Sequence, residues 1–218
     1  MEGMRDGDQP QGDQDGSGNA PWNESDWSGY LRRNDLEVGR FLSYYHEVRK
    51  LPDRLDQSAR RMGWENADWA PPEGVVEDAP DDSDPPELPY CIHQHPVYVV
   101  SRALGMELTS TFRAFCEKAG HAVTPAQAAD LVHAFWESQH EMIMAVNATD
   151  TGDPALALVH MKRALGALNH AMGLVAGLSS DARMSAAEEA ESLESGLFDL
   201  REVCLRVMAD CRWENPGR

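Results

Sequence analysis

An all-α fold is predicted for this chain, and three observations carry that reading. From Met184 to Trp213 the residues Ala186, Ala190, Leu193, Leu197, Leu200, Cys204, Val207 and Cys211 recur at alternating steps of four and three. At that spacing one helix presents a single stripe to its neighbours, and the stripe is stable only when other helices cover it. Three upstream stretches keep a helical period, each with a proline at its first helical position (Pro96, Pro125 and Pro154). The connections between them are short, about four to six residues, which favours antiparallel neighbours. The expected architecture is therefore a four-helix antiparallel up-down-up-down bundle over residues 96–213.

Taken in order, residues 1–30 read as a flexible acidic tail dominated by Gly, Asp, Gln, Ser and Asn, with Trp22, Trp27 and Tyr30 bringing the first apolar mass. Residues 31–64 read as a helical hairpin. Its first helix is expected to start at Asn34, which with Glu37 has the form of a capping box, and to carry Val38, Phe41, Tyr45 and Val48 on one face. Its second is expected to follow Pro52 and to stop at Gly63, with Leu55, Ala59 and Met62 as its stripe. Arginines 32, 33, 40, 49, 54, 60 and 61 make the hairpin basic, whereas residues 65–90 hold nine acidic side chains, no basic ones and six prolines. Such a segment cannot continue a helix or build a core. Residues 65–95 are therefore expected to form an acidic Pro-rich linker draped on the folded body, across the basic hairpin.

Within the bundle, the first helix runs from Pro96 to Gly120, with Val97, Val100, Leu104, Leu108, Thr111 and Phe115 sharing a face. Thr124-Pro125 opens the second, with Ala128, Val132, Phe135, Gln139, Met142 and Val146. Trp136 and Ile143 widen its apolar band, which calls for a second contact, with the hairpin or with another subunit. Asp153-Pro154 opens the third, with Leu158, Met161, Leu165, Leu168, Met172 and Val175, and Ser180-Asp181 the fourth. Gly166 and Gly173 lie off the third helix's seam and are expected to permit close helix approach.

Composition narrows the function classes. The 218 residues are 42% hydrophobic and 26% charged, with a formal net charge of -18. That charge argues against a nucleic-acid backbone or an anionic membrane surface as the main partner. No run of eighteen apolar residues is present, and the N-terminus lacks the apolar core of a secretory signal. Cys204 and Cys211, seven residues apart on one helix, lie about 10 Å apart at the standard rise, too far to pair. Thiols in a reducing compartment are expected, hence a cytoplasmic location.

Three constellations could carry chemistry. Cys91, His93 and His95 precede the first bundle helix, and an extended backbone would point all three to one side with ligand types that suit zinc. His133, Glu137 and His140 lie at i, i+4 and i+7 on the second helix, on the side opposite Phe135 and Met142. They include a Glu-x-x-His step of the kind di-iron bundles use, without a second copy elsewhere. His160, followed by Arg163 and Ala164, resembles over some five residues the pattern of histidine phosphotransfer proteins, in which an exposed bundle histidine precedes a lysine and a small residue. The resemblance implies a phosphorylated His160. No phosphate loop, nucleophile elbow or haem-attachment motif is present.

The leading expectation is thus a non-enzymatic bundle acting by protein–protein interaction or scaffolding, toward a protein partner or a second copy. Trp22, Trp27, Trp64, Trp69 and Trp136 are its candidate anchors. The competing expectations are a zinc- or iron-binding bundle, with metal-dependent hydrolase or oxidoreductase activity, and a histidine phosphotransfer protein.

Overall fold

The structure, a computed structural model, describes residues 22–64 and 91–213. Among them every regular element is helical. They are α1 (Glu24–Val48), α2 (Arg54–Arg61), α3 (Pro96–Ala119), α4 (Pro125–Asp150), α5 (Pro154–Ala176), α6 (Ser180–Ser185) and α7 (Ala187–Trp213), with single 3₁₀ turns at Ile92–Gln94 and Gly120–Ala122. The chain divides into two compact units, Met1–Arg33 and Asn34–Arg218, and the boundary falls within α1. The acidic stretch over 65–90, and with it the expectation that it crosses the hairpin, lies outside the described residues.

In the first unit α1 begins well before Asn34. Asn23 caps it: its Oδ1 accepts from the backbone N–H groups of Ser25 at 2.8 Å and Asp26 at 3.2 Å, while Asp26 Oδ2 accepts from Asn23 N at 3.0 Å. This reciprocal pairing satisfies the orphan amides of the first turn, so residues 24–30 are helix rather than flexible tail. Asn34 is a mid-helix residue whose amide donates to the carbonyl of His93. Asn34 and Glu37 match the capping spacing, but no helix starts there to use it.

The second unit is built on four long helices that contact one another in a closed circuit, α3 with α4, α4 with α5, α5 with α7, and α7 with α3. Its starts are those the sequence announces. Thr124 and Gln127 form a capping box, Asp153 Oδ1 accepts from Leu156 N at 2.9 Å, and Pro96, Pro125 and Pro154 occupy first-turn positions where no amide hydrogen is needed. Every residue of the predicted seam, from Ala186 to Cys211, is buried. The circuit's core continues through Phe112, Phe115, Phe135, Met142, Met161 and Leu168.

The predicted fourth helix is interrupted. Ala186 leaves helical backbone at φ -137°, ψ 50°, so α6 and α7 are separate. Arg183 on α6 donates to the Val175 carbonyl at 3.1 Å and to Glu194 at 2.7 Å, tying α6 to the end of α5 and the start of α7. No glycine or proline marks this step.

Close approach between helices is made at other glycines than Gly166 and Gly173, both of which face open space. A Cβ on Gly196 of α7 would lie 3.0 Å from Leu108 of α3, and one on Gly105 of α3 would fall 1.5 Å from the Gln139 amide of α4.

The hairpin part of α1 and α2 lies against the α3–α7 side. Val38, Phe41 and Tyr45 join the main core, and Val99 and Ala103 of α3 are buried as well as its bundle-facing stripe. Glu107 of α3 takes His46 at 3.3 Å and Arg49 at 3.9 Å. The hairpin thus leaves the outward face of α4 uncovered, and Trp136 stands 65% exposed.

Candidate functional site

The segment before α3 folds as a 3₁₀ turn instead of an extended strand. Gln94 N bonds the Cys91 carbonyl at 2.8 Å and His95 N the Ile92 carbonyl at 3.1 Å. The turn brings Cys91 Sγ to 3.2 Å from His93 Nδ1. It also commits His95 elsewhere, because its Nδ1 accepts the Val97 amide at 3.1 Å as the N-cap of α3. His95 is buried, and desolvation of its charged form lowers its pKa to about 4. His93 is also shifted down by desolvation, with its ring edge-on to Tyr98 at 4.9 Å. Two of the three predicted ligands therefore meet, while the third acts as a neutral cap.

His133, Glu137 and His140 all stand exposed on the outward side of α4. Among the described residues, no group of three or more His, Cys, Asp or Glu side chains is arranged to hold a metal ion. The four cysteines are thiols, and burial pushes Cys116 up and Cys204 up to about 12.

Two buried carboxylates organise the polar interior. Asp199 of α7 accepts from the Tyr45 hydroxyl and, at 2.7 Å on each oxygen, from Arg54 Nε and Nη2. Arg54 also donates to Ser195 at 3.0 Å. Desolvation, then the Asp199 charge and hydrogen bond, hold the Tyr45 phenol well above its ordinary range. Arg206 adds a parallel link from α7 to Asp56 of α2. The other carboxylate, Glu141 of α4, pairs with His160 Nδ1 at 2.6 Å and Arg163 Nε at 3.1 Å on α5. Glu141 has a sequence signal, since it is in phase with the buried Ser138 and Ala145. Asp199 sits off the heptad seam, on the side that meets the hairpin, and the seam gave no hint of it.

The aromatic anchors divide into three kinds. In the first unit Trp22, Trp27 and Tyr30 form a cluster, with ring centroids 4.7 Å apart for the tryptophans and 5.5 Å and 5.9 Å to the tyrosine. Trp64 turns inward and stacks on Phe41 at 5.8 Å, and Trp69 lies outside the described residues. Trp136 alone of the five is both within the helical circuit and largely exposed. Its flanks are mixed, with half-buried Val132 and Ile143 on one side and exposed His133 and His140 on the other.

Compared with protein-family models, with curated proteins and with solved structures, this chain matches none of them.

Proposed function

We propose that this is a non-enzymatic, cytoplasmic protein–protein interaction module that presents the outward face of α4 to a protein partner. The observation that carries the reading is Trp136, 65% exposed in the middle of a long helix whose core face is already filled. An isolated exposed apolar residue is ordinary. A tryptophan between half-buried aliphatics and exposed histidines has the composition of an interface centre with a polar rim. The helix is held at both ends by caps and along its length by α3 and α5, so binding on it would order little new structure. Net charge supports a protein partner over a polyanion. Among the described residues no helix is long and apolar enough to cross a membrane.

Photo-crosslinking tests this reading. A benzophenone amino acid replacing Trp136 is expected to give a discrete adduct in cells, identifiable by mass spectrometry as another protein or a second copy. The same probe at Ser110, exposed on α3, serves as the comparison. Equal, diffuse labelling from both positions would refute the assignment of this face.

A further inference from the structure

The turn that precedes α3 holds a thiol and an imidazole side by side, and the interaction reading uses neither. Cys91 Sγ lies 3.2 Å from His93 Nδ1. Three restraints hold the pair in place. The 3₁₀ turn is closed by Gln94 N donating to the Cys91 carbonyl at 2.8 Å. The side-chain amide of Asn34 on α1 donates to the His93 carbonyl and pins the backbone of the turn. The His93 ring stands edge-on to Tyr98 at 4.9 Å, with 79° between the ring planes. Desolvation disfavours the charged form of His93, so its ring is neutral near pH 7 and able to take up a proton. The Tyr98 phenol is pushed up chiefly by burial, and the charges of Arg102, Asp35 and Cys91 also act on it, so these groups share one neighbourhood. Cys116 supplies the contrast. It is half-buried, as Cys91 is, but burial raises its pKa and no histidine is paired with it among the described residues.

A nucleophile within hydrogen-bond reach of a base, with that base oriented by further groups, is the arrangement of an activated thiol. We propose that Cys91 is a peroxide-reactive thiol, converted by hydrogen peroxide to a sulfenic acid with His93 as its general base and acid. A half-buried sulfur favours a small, uncharged electrophile over a bulky disulfide or thioester. A peroxide also releases hydroxide, which calls for the proton that His93 has just received. In the step His93 Nδ1 takes the thiol proton and the sulfur attacks one peroxide oxygen. An S–O bond forms, the O–O bond breaks, and its electron pair leaves with hydroxide. Hydroxide takes the proton from Nδ1, which gives water and returns His93 to its neutral form. The sulfur is oxidised by two electrons and carries the remaining O–H as sulfenic acid, the first rung of thiol oxidation. Tyr98 and Asn34 are positioning residues, one holding the ring and the other the backbone.

The test treats the full, reduced chain with hydrogen peroxide in the presence of dimedone, which traps sulfenic acids, and reads each of the four cysteines by mass spectrometry. The expected adduct is at Cys91, formed at least about 10-fold faster than at Cys116. His93→Gln is expected to slow the reaction at Cys91 by at least about 10-fold at pH 7, while circular dichroism reports an intact fold. The lost rate is expected to return as pH rises, because at alkaline pH a thiol ionises without a base. The comparison of Cys91 with Cys116 needs no substitution, so it stands even where the variant fails to fold. Equal rates at the two cysteines, no adduct at Cys91, or an unchanged rate and pH profile in folded His93→Gln would overturn the proposal. Preferential alkylation of Cys91 by iodoacetamide without a dimedone adduct would equally overturn it, since a nucleophilic thiol would remain but peroxide would not be its reagent.

Discussion

Removing the Asp199 carboxylate is predicted to loosen the hairpin from the helical circuit. Asp199 is 6% exposed and receives three hydrogen bonds, one from Tyr45 and two from Arg54, whose side chain is itself only 19% exposed. In Asp199→Ala the guanidinium and the phenol lose their acceptor inside a low-dielectric site. Breaking a buried pair from one side costs about 3–5 kcal/mol, and partial access of Arg54 to water puts the expectation at about 3. Asp199→Asn keeps the shape and one acceptor but not the charge, for a loss of about 1.5–3 kcal/mol, and Tyr45→Phe removes a single bond to a charged group, with a similar upper bound. Urea unfolding measures the totals. A double-mutant cycle with Arg54→Ala isolates the pair, with a coupling of about 0.5–3 kcal/mol. Hydrogen exchange locates the effect, since amides of Val38–Val48 and Arg54–Arg61 are expected to exchange faster than those of α4 and α5 in Asp199→Ala. A loss below about 1 kcal/mol, or exchange raised uniformly, would refute the idea that this network anchors the hairpin.

The remaining predictions concern the cap, the surface and the core. His95 is held neutral at a pKa of about 4 against an ordinary 6.5, so between those values the unfolded chain binds the extra proton. Stability is then complete above pH 6.5 and falls by about 3 kcal/mol as pH drops to 4; His95→Asn keeps a capping acceptor and is expected to flatten that slope in urea titrations at each pH. Gly166 and Gly173 are exposed in mid-helix with open space at Cβ, so each change to alanine is expected to add about 0.5–1 kcal/mol and raise the melting temperature. Gly105→Ala is expected to bring no such gain, because the new methyl displaces the Gln139 amide. Leu197→Ala, at a fully buried seam position, is expected to lower unfolding free energy by about 2–5 kcal/mol.

What the sequence made legible was whatever is written in local period and punctuation. The stripe from Ala186 to Cys211 could be read because burial repeats every three to four residues, and the starts at Pro96, Pro125 and Pro154 because proline suits only the first turn. Asn34 misled because a capping pattern is identical whether or not a helix already runs through it; Asn23 and Asp26 form the working cap. The break at Ala186 has no local signal, since Arg183 fixes it through contacts to Val175 and Glu194. The glycines at 166 and 173 show the same limit, for spacing alone does not say which side of a helix meets a neighbour. At the candidate sites, periodicity put His133, Glu137 and His140 outward, where they stand, but no periodicity could show that Glu141 reaches His160 on another helix. Nor could it show that a 3₁₀ turn separates the roles of Cys91, His93 and His95.

Trp136, 65% exposed on α4, is the contact residue of the proposed interface. Its most direct test is the dissociation constant of the partner crosslinked at position 136, a second copy included, for the wild-type chain and for Trp136→Ala. An anchoring tryptophan predicts a loss of at least about 2 kcal/mol, roughly 30-fold in affinity, with the unfolding midpoint unchanged because the side chain is exposed. Equal dissociation constants for the two proteins would contradict the account.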